Sequence, residues 1–119
     1  MKAKNLLHLF EQVNAFWDPH VVADLNGQEM KVAKFKGIFP RHLHEEEDEC
    51  FLVVKGHFTM RFDDYVEEVS EGSFIVVPKG VYHQPEAEEE AWVLLFEPAS
   101  TLNTGNTENA FTKRNLKQL

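Results

Sequence analysis

Two histidines, His42 and His44, stand one residue apart in the stretch from Gly37 to Gly56. Side chains alternate along an extended chain, so both imidazoles can point to the same side and share one cation. Glu49 follows five residues after His44. That odd spacing would send it to the opposite face of an unbroken strand, so a turn or bulge within Glu45 to Asp48 has to reset the register. A second stretch runs from Gly72 to His83. There Pro78 pre-sets φ and Gly80 can take a left-handed angle, which lets Pro78-Lys79-Gly80 fold the chain back and present His83 inward. Three imidazoles and one carboxylate then converge on a single point.

The elements that must hold these residues are short apolar runs separated by turn residues, the spacing of an all-β sandwich or barrel. VVADL and MKVAKF flank Asn26-Gly27, a dipeptide suited to a tight hairpin turn. CFLVV reads as a buried strand, HFTMRF alternates with one face inward, YVEEV follows Asp63-Asp64, and FIVV and WVLLF supply two interior strands. Ahead of them Leu6, Leu7, Phe10 and Val13 recur near helical spacing until Trp17, Asp18 and Pro19 break the pattern, so residues 1–20 are expected to form a short helix or arm. Residues 21–98 carry the strands, and the polar residues 99–119 form an extended tail packed on them.

A chain of 119 residues fits one domain, and ten Phe with two Trp argue against disorder. The net charge of −8 disfavours nucleic acid and anionic membrane, since phosphate binding needs clustered Lys and Arg. The apolar run near the N-terminus is too short for a secretory signal or a spanning helix, which predicts a cytoplasmic protein. Cys50, the one cysteine, is expected to pack as a small hydrophobe. The acidic runs from Glu45 and from Glu86 read as solvated loops, and His8, His20 and His57 have no partner at ligand spacing.

Both stretches resemble the motifs of the cupins. The first matches a glycine, a spacer, H-x-H, four residues, Glu, six residues and Gly56; the second matches Gly72, five residues, P-x-G, two residues and a histidine. The spacer after Gly37 is four residues where the family pattern has five, and Ala87 replaces the Asn that often closes the second motif. The resemblance extends from about Val21 to Pro98 and is greatest to small bacterial cupins grouped loosely with the cupin part of mannose-6-phosphate isomerases. It implies a double-stranded β-helix, a jelly-roll barrel, with metal ligands His42, His44, Glu49 and His83. It also implies a homodimer. Three imidazoles and one carboxylate accept one divalent transition metal, Fe, Mn, Ni, Co or Zn, and leave open positions for a small molecule. Phe39, Arg41, Tyr82 and Trp92 are candidates for the pocket lining, beside the readings of Tyr82 and Trp92 as packing residues and of Arg41 as surface charge. The acidic surroundings favour a neutral or weakly charged ligand, and the open metal positions permit dioxygenase-type chemistry. The alternatives are a non-catalytic binding or sensing module and a metal-dependent sugar or sugar-phosphate isomerase.

Overall fold

The computed structural model describes residues 1–119. One short helix, α1 (Leu6–Glu11), precedes seven strands: β1 (His20–Leu25), β2 (Gln28–Ile38), β3 (Glu49–Lys55), β4 (His57–Arg61), β5 (Val66–Ser70), β6 (Phe74–Val77) and β7 (Gln84–Pro98). The Asn5 side chain caps α1 by accepting from the His8 N–H. Asn26 and Gly27 both take positive φ, 51° and 77°, and close the β1–β2 hairpin as that dipeptide allows. No helix is long and apolar enough to cross a membrane.

β7 is the spine of the sheet. Its C-terminal half lies between β2 and β3, and its first residues pair with β4. The strand order is β1-β2-β7-β3-β6, with β4 joining β7 to β5. The expected closed barrel is not formed. Pairing ends at β1 on one side and at β6 and β5 on the other, and no ladder joins these ends, so the cupin-like sheet stays open. One cause is at β1, whose outer edge is taken by the end of the chain: the Val21 N–H donates to the Lys117 carbonyl and the Leu119 N–H to the Val21 carbonyl. β6 is only four residues long and offers little edge for closure.

Alternation sorts the side chains to two faces. Ala33 and Phe35 on β2, Phe51 and Val53 on β3, and Ala91, Val93 and Leu95 on β7 point to the main core, where Phe58, Met60, Val69 and Val77 join them. Val32, Trp92 and Leu94 point the other way, to a smaller cluster under Leu9, Phe10 and Val13. The N-terminal segment therefore covers the back of the sheet. Trp17 instead wraps to the front and stacks on Phe35 with ring centroids 4.4 Å apart.

Phe58 is fully buried and packs edge-on to Phe35 at 5.2 Å, where β4 meets the main core. Phe58→Ala should lower stability by about 3–5 kcal/mol. Urea unfolding checks this, and a loss below about 1 kcal/mol would mean that β4 carries little of the core.

Candidate metal centre

His42 and His83 reach the centre through an isolated two-residue ladder. The His42 N–H donates to the His83 carbonyl at 3.0 Å and the His83 N–H returns the bond at 2.8 Å. The turn before His83 is pinned to the first motif, because the Gly80 N–H donates to the His44 carbonyl and the Lys79 N–H to Asp48 Oδ1. Residues 45–48 leave the strand conformation altogether, and β3 then begins at Glu49 on the core-facing parity of Phe51 and Val53. The acidic run is more than a solvated loop: the Ser100 hydroxyl donates to Glu47, and the Glu45 N–H donates to Asn106 Oδ1.

The four donor atoms of His42, His44, Glu49 and His83 lie within 4.8 Å of one another, and all four side chains are buried. Each of two imidazoles has its Nδ1 beside a carbonyl, Pro40 O at 2.8 Å from His42 and Val81 O at 2.9 Å from His83. A carbonyl only accepts, so Nδ1 carries the hydrogen and, on a neutral ring, Nε2 presents a lone pair. Glu49 Oε1 then stands 3.1 Å from His83 Nε2 and 2.7 Å from His44 Nε2. The His44 contact is short but not aligned as a hydrogen bond, and neither nitrogen of that buried ring has a partner. Electron pairs crowded this closely in a dry interior repel unless a positive charge lies among them. Two ligands at right angles on an ion with bonds of about 2.1 Å sit about 3.0 Å apart, which matches these contacts. The residues fit one divalent transition metal.

Burial would raise the carboxyl of Glu49, but the polar groups of Glu97, His44 and His83 packed against it outweigh this and hold Glu49 well below the usual range. Glu97 is pushed well above it, by burial first and then by the charge of Glu49, while Lys31 opposes the shift. Extending the β3–β7 ladder one residue past Cys50–Phe96 sets Glu49 opposite Glu97. Glu97 Oε1 accepts from Lys31 Nζ at 2.8 Å, and that buried ammonium lies 3.6 Å from Glu29.

A small cavity of about 40 Å³ adjoins the four donors, room for roughly three waters. Trp17, Phe35, Phe39 and Phe51 line it together with His42, Glu49 and Glu97. The C-terminal tail contributes Asn103, and Gly105 lies so close to Leu43 and His42 that a Cβ there would stand 2.0 Å from the Leu43 carbonyl oxygen. Of the lining residues expected from sequence, Phe39 faces the cavity. Arg41 lies outside, paired with Asp63 and stacked 3.7 Å over the exposed Tyr82 ring. Trp92 is on the back of the sheet, stacked on Phe10 and approached by Lys34 and Lys55. Sequence reading passed over Lys31 and Glu97. Their signal was parity, since each shares the inward alternation of its strand, Lys31 with Ala33 and Phe35, Glu97 with Leu95 and Val93.

His42 is lowered from 6.5 to about 4, by burial first and then by His83. Below pH 6.5 the unfolded chain takes up a proton that the folded chain refuses. The stability present at neutral pH is therefore lost as pH falls from 6.5 to about 4, by about 3 kcal/mol for the metal-free protein. Urea titrations across that range should show this slope, and His42→Gln should remove that part of it; an unchanged slope in the variant would assign the effect elsewhere.

Comparison with known proteins agrees with this architecture. The protein YdbB of Bacillus subtilis is 27% identical over 84 residues, 70% of this chain and 74% of its own. An acireductone dioxygenase of Phaeosphaeria nodorum is 35% identical over 96 residues, 71% of this chain but only 55% of that longer protein. The crystal structure of a cupin-2 domain containing protein from Shewanella frigidimarina superposes with a TM-score of 0.79 at 35% identity, covering 81% of this chain and 94% of that one. The sequence model of the family described as "Cupin domain" matches residues 28–97, more than half of the chain, and the protein belongs to the cupin family.

Proposed function

We propose that this cupin is a metal-dependent enzyme of dioxygenase type that acts on a small, neutral or weakly charged molecule. The observation that carries this reading is the convergence of His42, His44, Glu49 and His83 beside an apolar cavity. His42, His44, Glu49 and His83 would hold a redox-active ion such as Fe(II), which would supply one-electron chemistry toward dioxygen and Lewis acidity toward a substrate oxygen. The carbonyls of Pro40 and Val81 orient the imidazoles of His42 and His83. Trp17, Phe35, Phe39 and Phe51 exclude water and present apolar surface to the substrate. The similarity to an acireductone dioxygenase supports the same chemistry.

Size and charge weigh against a sugar phosphate. The cavity is small, about 40 Å³, and its lining holds no arginine or lysine. Arg41 is engaged by Asp63, and Lys31 is buried against Glu97. Protein loaded anaerobically with Fe(II) should consume oxygen with at least one member of a panel of enols, diketones, catechols and thiols, and His44→Ala should abolish the uptake. Isomerisation of mannose 6-phosphate with no oxygen consumed on any panel member would overturn the reading.

We also propose a homodimer. Phe74 and Val76 on the edge strand β6 and Phe96 on β7 are exposed on one face, with Cys50 and Leu52 between them in register. A contiguous apolar face at a sheet edge favours self-association. Sedimentation equilibrium should give twice the chain mass for the wild type and a monomer for Phe74→Lys/Phe96→Lys; a monomeric wild type would exclude the dimer.

A further inference from the structure

His44 differs from the other two imidazoles of the centre in what stands behind it. The Nδ1 atoms of His42 and His83 each meet the carbonyl two residues earlier in the chain, Pro40 O and Val81 O. For His44 that place is taken, because His42 O accepts from the His83 N–H at 2.8 Å. The next two carbonyls are engaged as well, Leu43 O by the Asn106 N–H and His44 O by the Gly80 N–H. With Nε2 turned to Glu49 at 2.7 Å, the hydrogen of the neutral ring belongs on Nδ1. The side chain is 2% exposed, and this Nδ1 has no hydrogen-bond partner. A buried donor without an acceptor is costly, and folded proteins leave few of them.

One charged acceptor stands near it. Glu47 Oε1 lies 3.9 Å from His44 Nδ1, and the Glu47 side chain is half-buried while Glu45 and Glu46 beside it are exposed. Its other oxygen, Oε2, accepts from the Ser100 hydroxyl at 2.8 Å. Ser100 follows β7, and the same C-terminal segment grips the loop again through Asn106, whose N–H donates to Leu43 O at 3.1 Å and whose Oδ1 accepts from the Glu45 N–H at 2.8 Å. An imidazole that gives its Nε2 lone pair to a cation loses charge from the ring, which strengthens the Nδ1–H as a donor to a carboxylate. We infer that Glu47 is a positioning residue of the metal centre: its carboxylate, set in place by Ser100, is the partner of the His44 Nδ1–H in the metal-loaded protein and fixes the tautomer and orientation of that ligand. The C-terminal segment thereby governs metal affinity without supplying a ligand. This inference rests on the metal-centre reading and is independent of the reaction carried out there.

The test measures Zn(II) affinity of the full chain by competition with a chromophoric chelator, and follows the isotope-labelled histidine rings of the zinc-loaded protein by NMR. Glu47→Ala should weaken Zn(II) binding by roughly 10–100-fold, and Glu47→Gln, which keeps an acceptor oxygen, should recover part of the loss. Ser100→Ala, which removes one hydrogen bond to the carboxylate, should weaken binding by roughly fivefold. Glu46→Ala takes the same charge from an exposed side chain of the same loop and should change affinity by less than about twofold. In the wild type the His44 Nδ1–H should exchange slowly with solvent; Glu47→Ala should speed that exchange and leave the His42 and His83 signals unmoved, whereas a collapse of the loop would move all three. A His44 signal unaffected by Glu47→Ala, or equal losses of affinity from Glu46→Ala and Glu47→Ala, overturns the role of Glu47 while leaving the metal centre intact. Unchanged affinity in Ser100→Ala overturns the part given to the C-terminal segment. Failure of the wild type to take up Zn(II) removes the metal-centre reading and this inference with it.

Discussion

A buried carboxylate with imidazole nitrogens crowded against it is the constraint on which the rest depends. Glu49 is 4% exposed and its Oε1 lies about as close to two ring nitrogens as ligands around a common ion. In the interior such a group is tolerable only if compensated, since an isolated ionised carboxylate costs many kcal/mol to bury. Carbonyl acceptors at Pro40 and Val81 set the two tautomers that leave lone pairs facing the carboxylate. The arrangement is poor as a set of hydrogen bonds and good as a set of ligands.

Each ligand is delivered by a different structural device, and β7 connects them. β3 pairs with β7 and brings Glu49 inward, while the His42–His83 bridge leads directly into β7 at Gln84. The open sheet does not loosen the site. The ligands are fixed by local ladders and by backbone bonds between the motifs, such as Gly80 to His44, and closure of the sheet is not among these supports.

The chain beyond the strands completes the enclosure. Gly105, with φ at 67°, meets the backbone of Leu43 at a distance that only a residue without Cβ permits, and Phe111 packs edge-on to Phe39 at 5.4 Å. This segment lies past residues 28–97, the part of the chain that the family model matches.

Much of the secondary structure was legible in the sequence because it depends on local rules. Asn26-Gly27 demanded a hairpin, HFTMRF alternated, and Leu6 to Val13 carried a helical period. The four donor residues could be named from spacing within two short segments, where turn chemistry limits the conformations. The cupin barrel expected from the family resemblance was not formed, because the last residues occupy the edge of β1, a pairing between distant segments that no local pattern encodes. Trp92, read from sequence first as a packing residue and second as pocket lining, packs on the back of the sheet, since its parity in β7 puts it beside Phe10. Lys31 and Glu97 were invisible for the related reason that two charged residues far apart in sequence become partners only when register sets their strands side by side. Composition and local spacing determined which residues could bind a metal; long-range strand register alone decided which face each side chain occupies and therefore what surrounds that centre.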